Sequence, residues 1–425
     1  MKKLAGFFLF LILVSLWQCG GTEKGLTFWI GGTPEEANYW ENLIQEFEDQ
    51  TGLQVRLVRQ PADSSQRRQG LVISLESLQP DPDVFLMDVI WVGQFVHSGW
   101  LEPLDDLIQK DRFPVDLFFP RILSLVDRYH HRLFALPVYV DSGVLYFRSD
   151  LLEKYGYSGP PETWSELVDI SLRIQEAERR ENPRFSGFVW QGAQYEGLVC
   201  TFLEFACSAG GGIWMEDSIQ LDHPRNVRAL RFMQNLIHGY QISPANTYTE
   251  MKEEEVRRAF QKGNALFERN WPYAWKLHQR KDSPVKGKVK LAALPSFKQG
   301  QTSSTLGGWH VGISRYSDVK ERAWELVRFI TSYSTQKNLA LNLGWNPGRK
   351  DIYADREILK ELPHFHKLRD VFNQAVARPN LPYYNQVSAV IQIYVNKCLA
   401  GKIKPAEALE QMQKQTEKIT ALYEE

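Results

Sequence analysis

Aromatic side chains stand beside carboxylates and glycines at several points of this chain. Residues 305–314 read TLGGWHVGIS, so Gly307 and Gly308 remove two side chains just before Trp309 presents the largest one. Glycine allows a sharp turn or a close approach of backbone to a neighbour. A bulge at the start of a strand would account for the pair, and so would a ligand pressed on bare backbone. Residues 270–275 read NWPYAW, which places Trp271 and Trp275 around a proline. In YVDSG, residues 139–143, Tyr139 and Asp141 share one side of an extended strand, because side chains alternate with period two. Carboxylates accept paired hydrogen bonds from neighbouring hydroxyls, and arginine donates a planar fork. An aromatic ring covers the apolar C–H face of a pyranose while tolerating polar edges. With 13 tryptophans and 17 tyrosines in the chain, these are the materials of a carbohydrate site. Composition alone does not single out one sugar.

Catalytic signatures are missing. The sequence holds no GxSxG elbow, P-loop or HExxH. The glycines before Thr33-Pro34 do not form a dinucleotide fingerprint, and the helix they open begins with Glu35 and Glu36, which repel phosphate. A glycoside hydrolase needs an acid–base pair at a defined separation, and no such pair is marked. His364 and His366 are expected as a solvated pair in a polar loop rather than metal ligands, so no metal or cofactor is implied. With 50 basic against 51 acidic residues, nothing points to nucleic acid. Cys200 and Cys207 fall on one predicted helix, roughly 10 Å apart along its axis, too far for a disulfide. Together with Cys398 they read as small core residues.

The elements that must position these groups read as α/β. LTFWI after Gly25 is a short strand, and Trp40, Leu43, Ile44 and Phe47 then fall on one face of a helix that Gly52 stops. LQVRLV is a strand, residues 64–78 an Arg-bearing helix, and DVFLMD a buried strand ending in Asp88. That alternation means a largely parallel sheet covered by helices, with ligands beyond the carboxyl ends of its strands, where Glu35, Glu36 and Asp88 lie. Thr33 to Glu36 also makes a good capping box, a structural role that competes with binding for Glu36. Leu133 to Arg148 is extended and interrupted at Pro137 and Asp141, as if passing from one lobe to another. Residues 161–278 are mainly helical. KVKLAALP and WHVGIS return as strands, 318–333 is an amphipathic helix, and the last hundred residues are mostly helical.

The first 18 residues carry two lysines and an apolar run from Leu4 to Trp17, a secretory signal too short to span a bilayer comfortably. Cys19 at the cleavage position points to a lipoprotein, although Leu16-Trp17-Gln18 departs from the usual small residues before the cysteine. A lipidated tether, residues 19–25, would hold a two-domain chain outside a bacterial membrane, at its periplasmic face or the cell surface.

Long runs carry a stronger signal. DPDVFLMDV, WLEPLDD, LPVYVDSG, NWPYAW, LGGWHVGIS and LNLGWNPGR resemble the solute-binding proteins of ABC sugar importers, the trehalose- and maltose-binding members above all, over nearly the whole mature chain. The resemblance implies a two-lobed periplasmic-binding-protein fold with discontinuous lobes joined by crossing strands. Its expected boundaries are 26–138 with 287–335 for the first lobe, and 139–286 with 336–425 for a helix-rich second lobe. It implies a disaccharide, trehalose or maltose, clamped by hinge closure and passed by a monomer to ABC permease subunits, with no bond made or broken. By resemblance Glu36, Arg68 and Asp88 bind from the first lobe and Tyr139 and Asp141 near the crossing. Trp271 stacks and Arg378 hydrogen-bonds from the second lobe, and Gly307, Gly308 and Trp309 line the cleft. Whether Glu35 or Glu36, and Arg67 or Arg68, faces inward stays open. A sensory receptor that docks on a kinase would have the same site.

Overall fold

A computed structural model describes residues 25–424; Cys19, with the expected signal and most of the tether, lies outside them. Nine strands form two main sheets. They are β1 (Leu26–Gly31), β2 (Val55–Gln60), β3 (Val84–Asp88), β4 (Leu136–Ser142), β5 (Val144–Arg148), β6 (Ser186–Val189), β7 (Ala265–Asn270), β8 (Val289–Ala292) and β9 (Leu306–Ile313). The first sheet runs β2-β1-β3-β9-β4 and the second β8-β5-β7-β6. β1 pairs in parallel with β2 and β3, as the strand–helix alternation predicts, while β9 is antiparallel to both β3 and β4.

The first helix, Pro34–Thr51, is set by its sequence at both ends. The Thr33 side chain accepts from the Glu36 amide, Glu36 reaches back to the Thr33 amide, and Gly52 ends the helix in the left-handed region at φ 74°. Its apolar stripe of Trp40, Leu43, Ile44 and Phe47 is buried against the first sheet, with the Trp40 ring edge-on to Phe28 at 5.3 Å. Full burial of one such ring contributes on the order of 4–6 kcal/mol before entropy is counted. The Arg-bearing helix ends at Glu76, two residues early, and Leu78 takes a left-handed φ of 57°. The amphipathic helix expected over 318–333 is Lys320–Ile330. It stops there because Ser332 caps the next helix, Tyr333–Leu343.

The extended run at 133–148 breaks at Gly143, where the chain leaves the first sheet as β4 and enters the second as β5. This moves the expected lobe boundaries. Tyr139 and Asp141 lie on β4 and belong to the first sheet. Val289–Ala292 pairs with β5 in the second sheet, so the start of 287–335 is not part of the first lobe. Leu339 and Trp345 pack in the core of the first sheet, and Phe365–Gln374 packs against β4, so 336 does not begin the second lobe. Only from Tyr384–Leu399 onward does the chain rejoin the second sheet's helices, packing on Glu196–Ser208 and Pro224–His238. Periodicity shows a helix; it does not show which sheet the helix covers.

Three segments pass between the lobes side by side. The Ser304 hydroxyl donates to the Gly143 carbonyl at 2.6 Å, and the Val376 amide donates to the Ser304 carbonyl at 2.8 Å. Cys200 lies buried and Cys207 partly buried on one helix, and Cys398 is buried on another; none is in a disulfide. Among the described residues no helix is long and apolar enough to cross a membrane.

Candidate functional site

The carboxyl ends of β1 and β3, the middle of β4 and the start of β9 bring the candidate residues together. Asp88 closes β3 directly opposite Trp309 on β9, and Trp309 in turn pairs with Tyr139 on β4. Asp141 pairs with Gly307 in the same ladder. Trp271, just past the end of β7, lies against Gly307 of β9.

Each glycine of the pair has a protein neighbour close by, and at Gly308 the backbone demands glycine. Gly308 has φ 132°, and a Cβ there would lie 2.4 Å from the Tyr139 carbonyl oxygen. It sits just before a register shift between Trp309 and His310, the bulge that a strand-start glycine marks. A Cβ on Gly307 would lie 3.1 Å from Cζ3 of Trp271. The bulge beside Gly308 and the Trp271 edge beside Gly307 account for the pair within the protein, where the resemblance implied a ligand against bare backbone.

Trp309 is held from two sides. The Arg67 guanidinium lies over its ring at 3.9 Å, and Trp91 meets it edge-on at 5.2 Å. The helix Ser64–Glu76 therefore turns Arg67 toward the first sheet. Arg68, the residue preferred from the sequence, instead donates to Gln94 Oε1 at 2.7 and 3.1 Å. Gln94 also accepts from Asn385 of the second lobe, so Arg68 stands at a bridge between lobes rather than over the ring. Glu35 is likewise turned outward, ion-paired with Arg280 at 2.7 Å, while Glu36 is half-buried. Burial raises the Glu36 pKa, opposed by its bonds to Thr33 and by the Arg67 charge.

The carboxylates are strongly perturbed. Burial pushes Asp141 up to about 7, against a hydrogen bond that Asn346 Nδ2 donates at 2.9 Å. Asp88 is raised by burial too, with Arg378 opposing at 3.7 Å. The Tyr139 ring lies against Trp345 at 4.3 Å, tilted by 32°, and burial raises its phenol well above the ordinary value. Partly satisfied buried carboxyls of this kind can take hydroxyl donors.

Arg378 is buried and anchored in the protein. It donates to Glu196 Oε1 at 2.9 Å and to the Leu306 carbonyl at 3.2 Å, while its Nε has no partner. Glu196 also accepts from the hydroxyls of Tyr384 and Ser388. Sequence reasoning missed Trp345 and Asn346 as members of this cluster and left Arg67 open beside Arg68. LNLGWNPGR held the first two without a stated role, and helical phase alone did not separate Arg67 from Arg68. The expected solvated histidine pair is corrected for His364. That ring is buried against Trp275 at 4.6 Å, and burial lowers its pKa to about 3. His366 is exposed.

The comparisons fit this geometry. The chain matches the family described as bacterial extracellular solute-binding protein over residues 31–337. A probable ABC transporter-binding protein of Deinococcus radiodurans is 39% identical over 374 residues, 87% of this chain and 87% of the relative. A maltotriose-binding protein of Pyrococcus abyssi is 24% identical over 390 residues, 90% of this chain and 78% of that protein. Among solved structures, maltose-bound MalE3 of T. maritima superposes with a TM-score of 0.86 at 39% identity, covering 93% of this chain and 99% of that one. With two sheets joined by crossing strands and a family match over most of its length, the chain belongs to the bacterial extracellular solute-binding proteins, the substrate-binding components of ABC transporters and not enzymes.

Proposed function

We propose that the chain is the sugar receptor of an ABC importer, clamping a disaccharide of the trehalose and maltose class between its lobes and delivering it to the permease. The observation that carries this reading is the cluster itself. Rings from both sheets, Trp309 and Trp271, face Asp88 and Asp141 with Glu36 and Tyr139 nearby, and Arg67 is fixed beside them. Aromatic faces suit the apolar side of a pyranose, and the carboxylates suit its hydroxyls. The maltose-bound relative at 39% identity supports the same ligand class.

In this reading Glu36, Asp88, Tyr139, Asp141, Trp271, Trp309 and Arg378 contact or border the sugar. Arg67 takes the place expected for Arg68, and Gly307 and Gly308 shape the wall. Cys19 carries the lipid anchor, which holds a monomer outside the membrane. Lobe closure brings the exposed Arg280 onto Glu35 and Asn385 onto Gln94.

Titration calorimetry of the purified protein against trehalose and maltose tests the proposal. Micromolar or tighter binding of either sugar, without release of glucose, is the expected result. Absence of heat with both sugars and with maltotriose would move the ligand to another class.

A further inference from the structure

A buried ion pair lies where the lobes join. Glu204 on the helix Glu196–Ser208 and Arg269 on β7 are each 1% exposed, with Arg269 Nε donating to Glu204 Oε2 at 2.8 Å. Arg269 also reaches Gln191 Oε1 at 3.3 Å. A pair so deep is a weak source of stability, because its desolvation offsets most of the attraction. Its neighbours suggest another use.

On one side the pair touches the crossing segments. A Cβ on Gly143 would lie 2.1 Å from Glu204 Oε1 and 2.7 Å from Arg269 Nη2, so the first crossing runs in van der Waals contact with both charges. The second crossing is bonded to it, since the Thr305 amide donates to Glu204 Oε1 at 3.1 Å. On the other side the Arg269 guanidinium lies under the Trp271 ring at 4.2 Å, and the far edge of that ring abuts Gly307. The Trp271 indole N–H is directed at Glu253 Oε1, 3.4 Å away.

We propose that Glu204 and Arg269 are positioning residues that couple the hinge to the ligand-facing ring: Glu204 sets the plane of the Arg269 guanidinium, and that plane sets the tilt of Trp271 against the crossing strands. The coupling rests on the sugar-receptor reading only in that Trp271 faces the ligand. Arg269 acts through Trp271 and does not touch the sugar. A planar cation is required because a flat guanidinium stacks on an indole, whereas a lysine ammonium is a point charge that can keep the ion pair without the plane.

Three variants test this: Arg269→Lys, the apolar double variant Glu204→Leu/Arg269→Met, and Trp271→Phe as the reference that isolates the Trp271 emission. The first readout needs no sugar. In Arg269→Lys the Trp271 share of the fluorescence should shift, and its quenching by acrylamide should rise at least twofold. The second readout is sugar affinity, which should fall about tenfold in both Arg269 variants while the double variant melts near the parent. Parent-like quenching and affinity in Arg269→Lys would overturn the proposal, because lysine lacks the flat face on which the Trp271 ring is proposed to rest. If Arg269→Lys does not fold, the double variant decides by the same two readouts. If the parent binds neither sugar, the proposed function fails, and the quenching result still decides the coupling.

Discussion

Asp141→Asn is the most informative single change, because it separates the cost of burying a charge from the use of that charge. The folded carboxyl titrates at about 7 against an ordinary 3.8. The unfolded chain has lost this proton by pH 5, while the folded protein keeps it until about 7. The unfolded state therefore binds fewer protons across this window, and stability falls as pH rises from 3.8 through about 7, then levels off. At 1.36 kcal/mol per unit, the loss between pH 5 and pH 8 integrates to about 3 kcal/mol for a fully enclosed group. The side chain is only partly buried, so solvent screening reduces this to ~1 kcal/mol. Asparagine is isosteric, carries no such proton, and still accepts from Asn346. The stability of Asp141→Asn relative to the parent should therefore grow by that amount from pH 5 to pH 8. With unfolding entropy near 0.8 kcal/mol per kelvin for about 400 residues, the melting-temperature gap should widen by about 1 °C in calorimetry without sugar. At pH 8 the same variant should bind sugar roughly tenfold more weakly, having lost an anionic acceptor. A gap that is the same at both pH values, with affinity within twofold of the parent, would refute both the buried charge and its role.

Arg67→Met should weaken sugar binding at least tenfold by titration calorimetry, whereas Arg68→Met should change it less than threefold, since Arg67 and not Arg68 lies on Trp309. Gly308→Ala should destabilise the protein by about 1–3 kcal/mol in urea unfolding, because its φ of 132° and the Tyr139 carbonyl leave no place for a methyl. Gly307→Ala meets only the edge of Trp271 and should lower affinity with much less effect on unfolding. His364, lowered to about 3 by burial, contributes stability that is full above 6.5 and is lost as pH falls through that value toward 3. His364→Phe should therefore make urea unfolding less sensitive to pH between 7 and 5 than in the parent.

Local chemistry made part of this protein legible before any coordinates. The Thr33–Glu36 capping box, the Trp40 to Phe47 stripe and the buried strand ending in Asp88 all lie within single elements, where period and end residues suffice. The lobe boundaries were not legible, because a strand such as Val289–Ala292 has one sequence pattern whichever sheet it joins. The same limit governed the site. Asp88, Tyr139, Asp141 and Trp309 could be named because they end or alternate along strands, and pairing across β3, β9 and β4 then brought them together. Arg67 could not be told from Arg68, since the choice rests on which way one helix turns toward Trp309, some 240 residues away in sequence. Helix and strand pattern alone does not mark Glu204 or Arg269. Their meaning lies in contacts with Gly143, Thr305 and Trp271, which come from three separate stretches of chain. A two-lobed clamp assembles its hinge and its ligand wall from segments that cross between the lobes. Those are the positions where local pattern carries the least information and where a single substitution couples binding to motion.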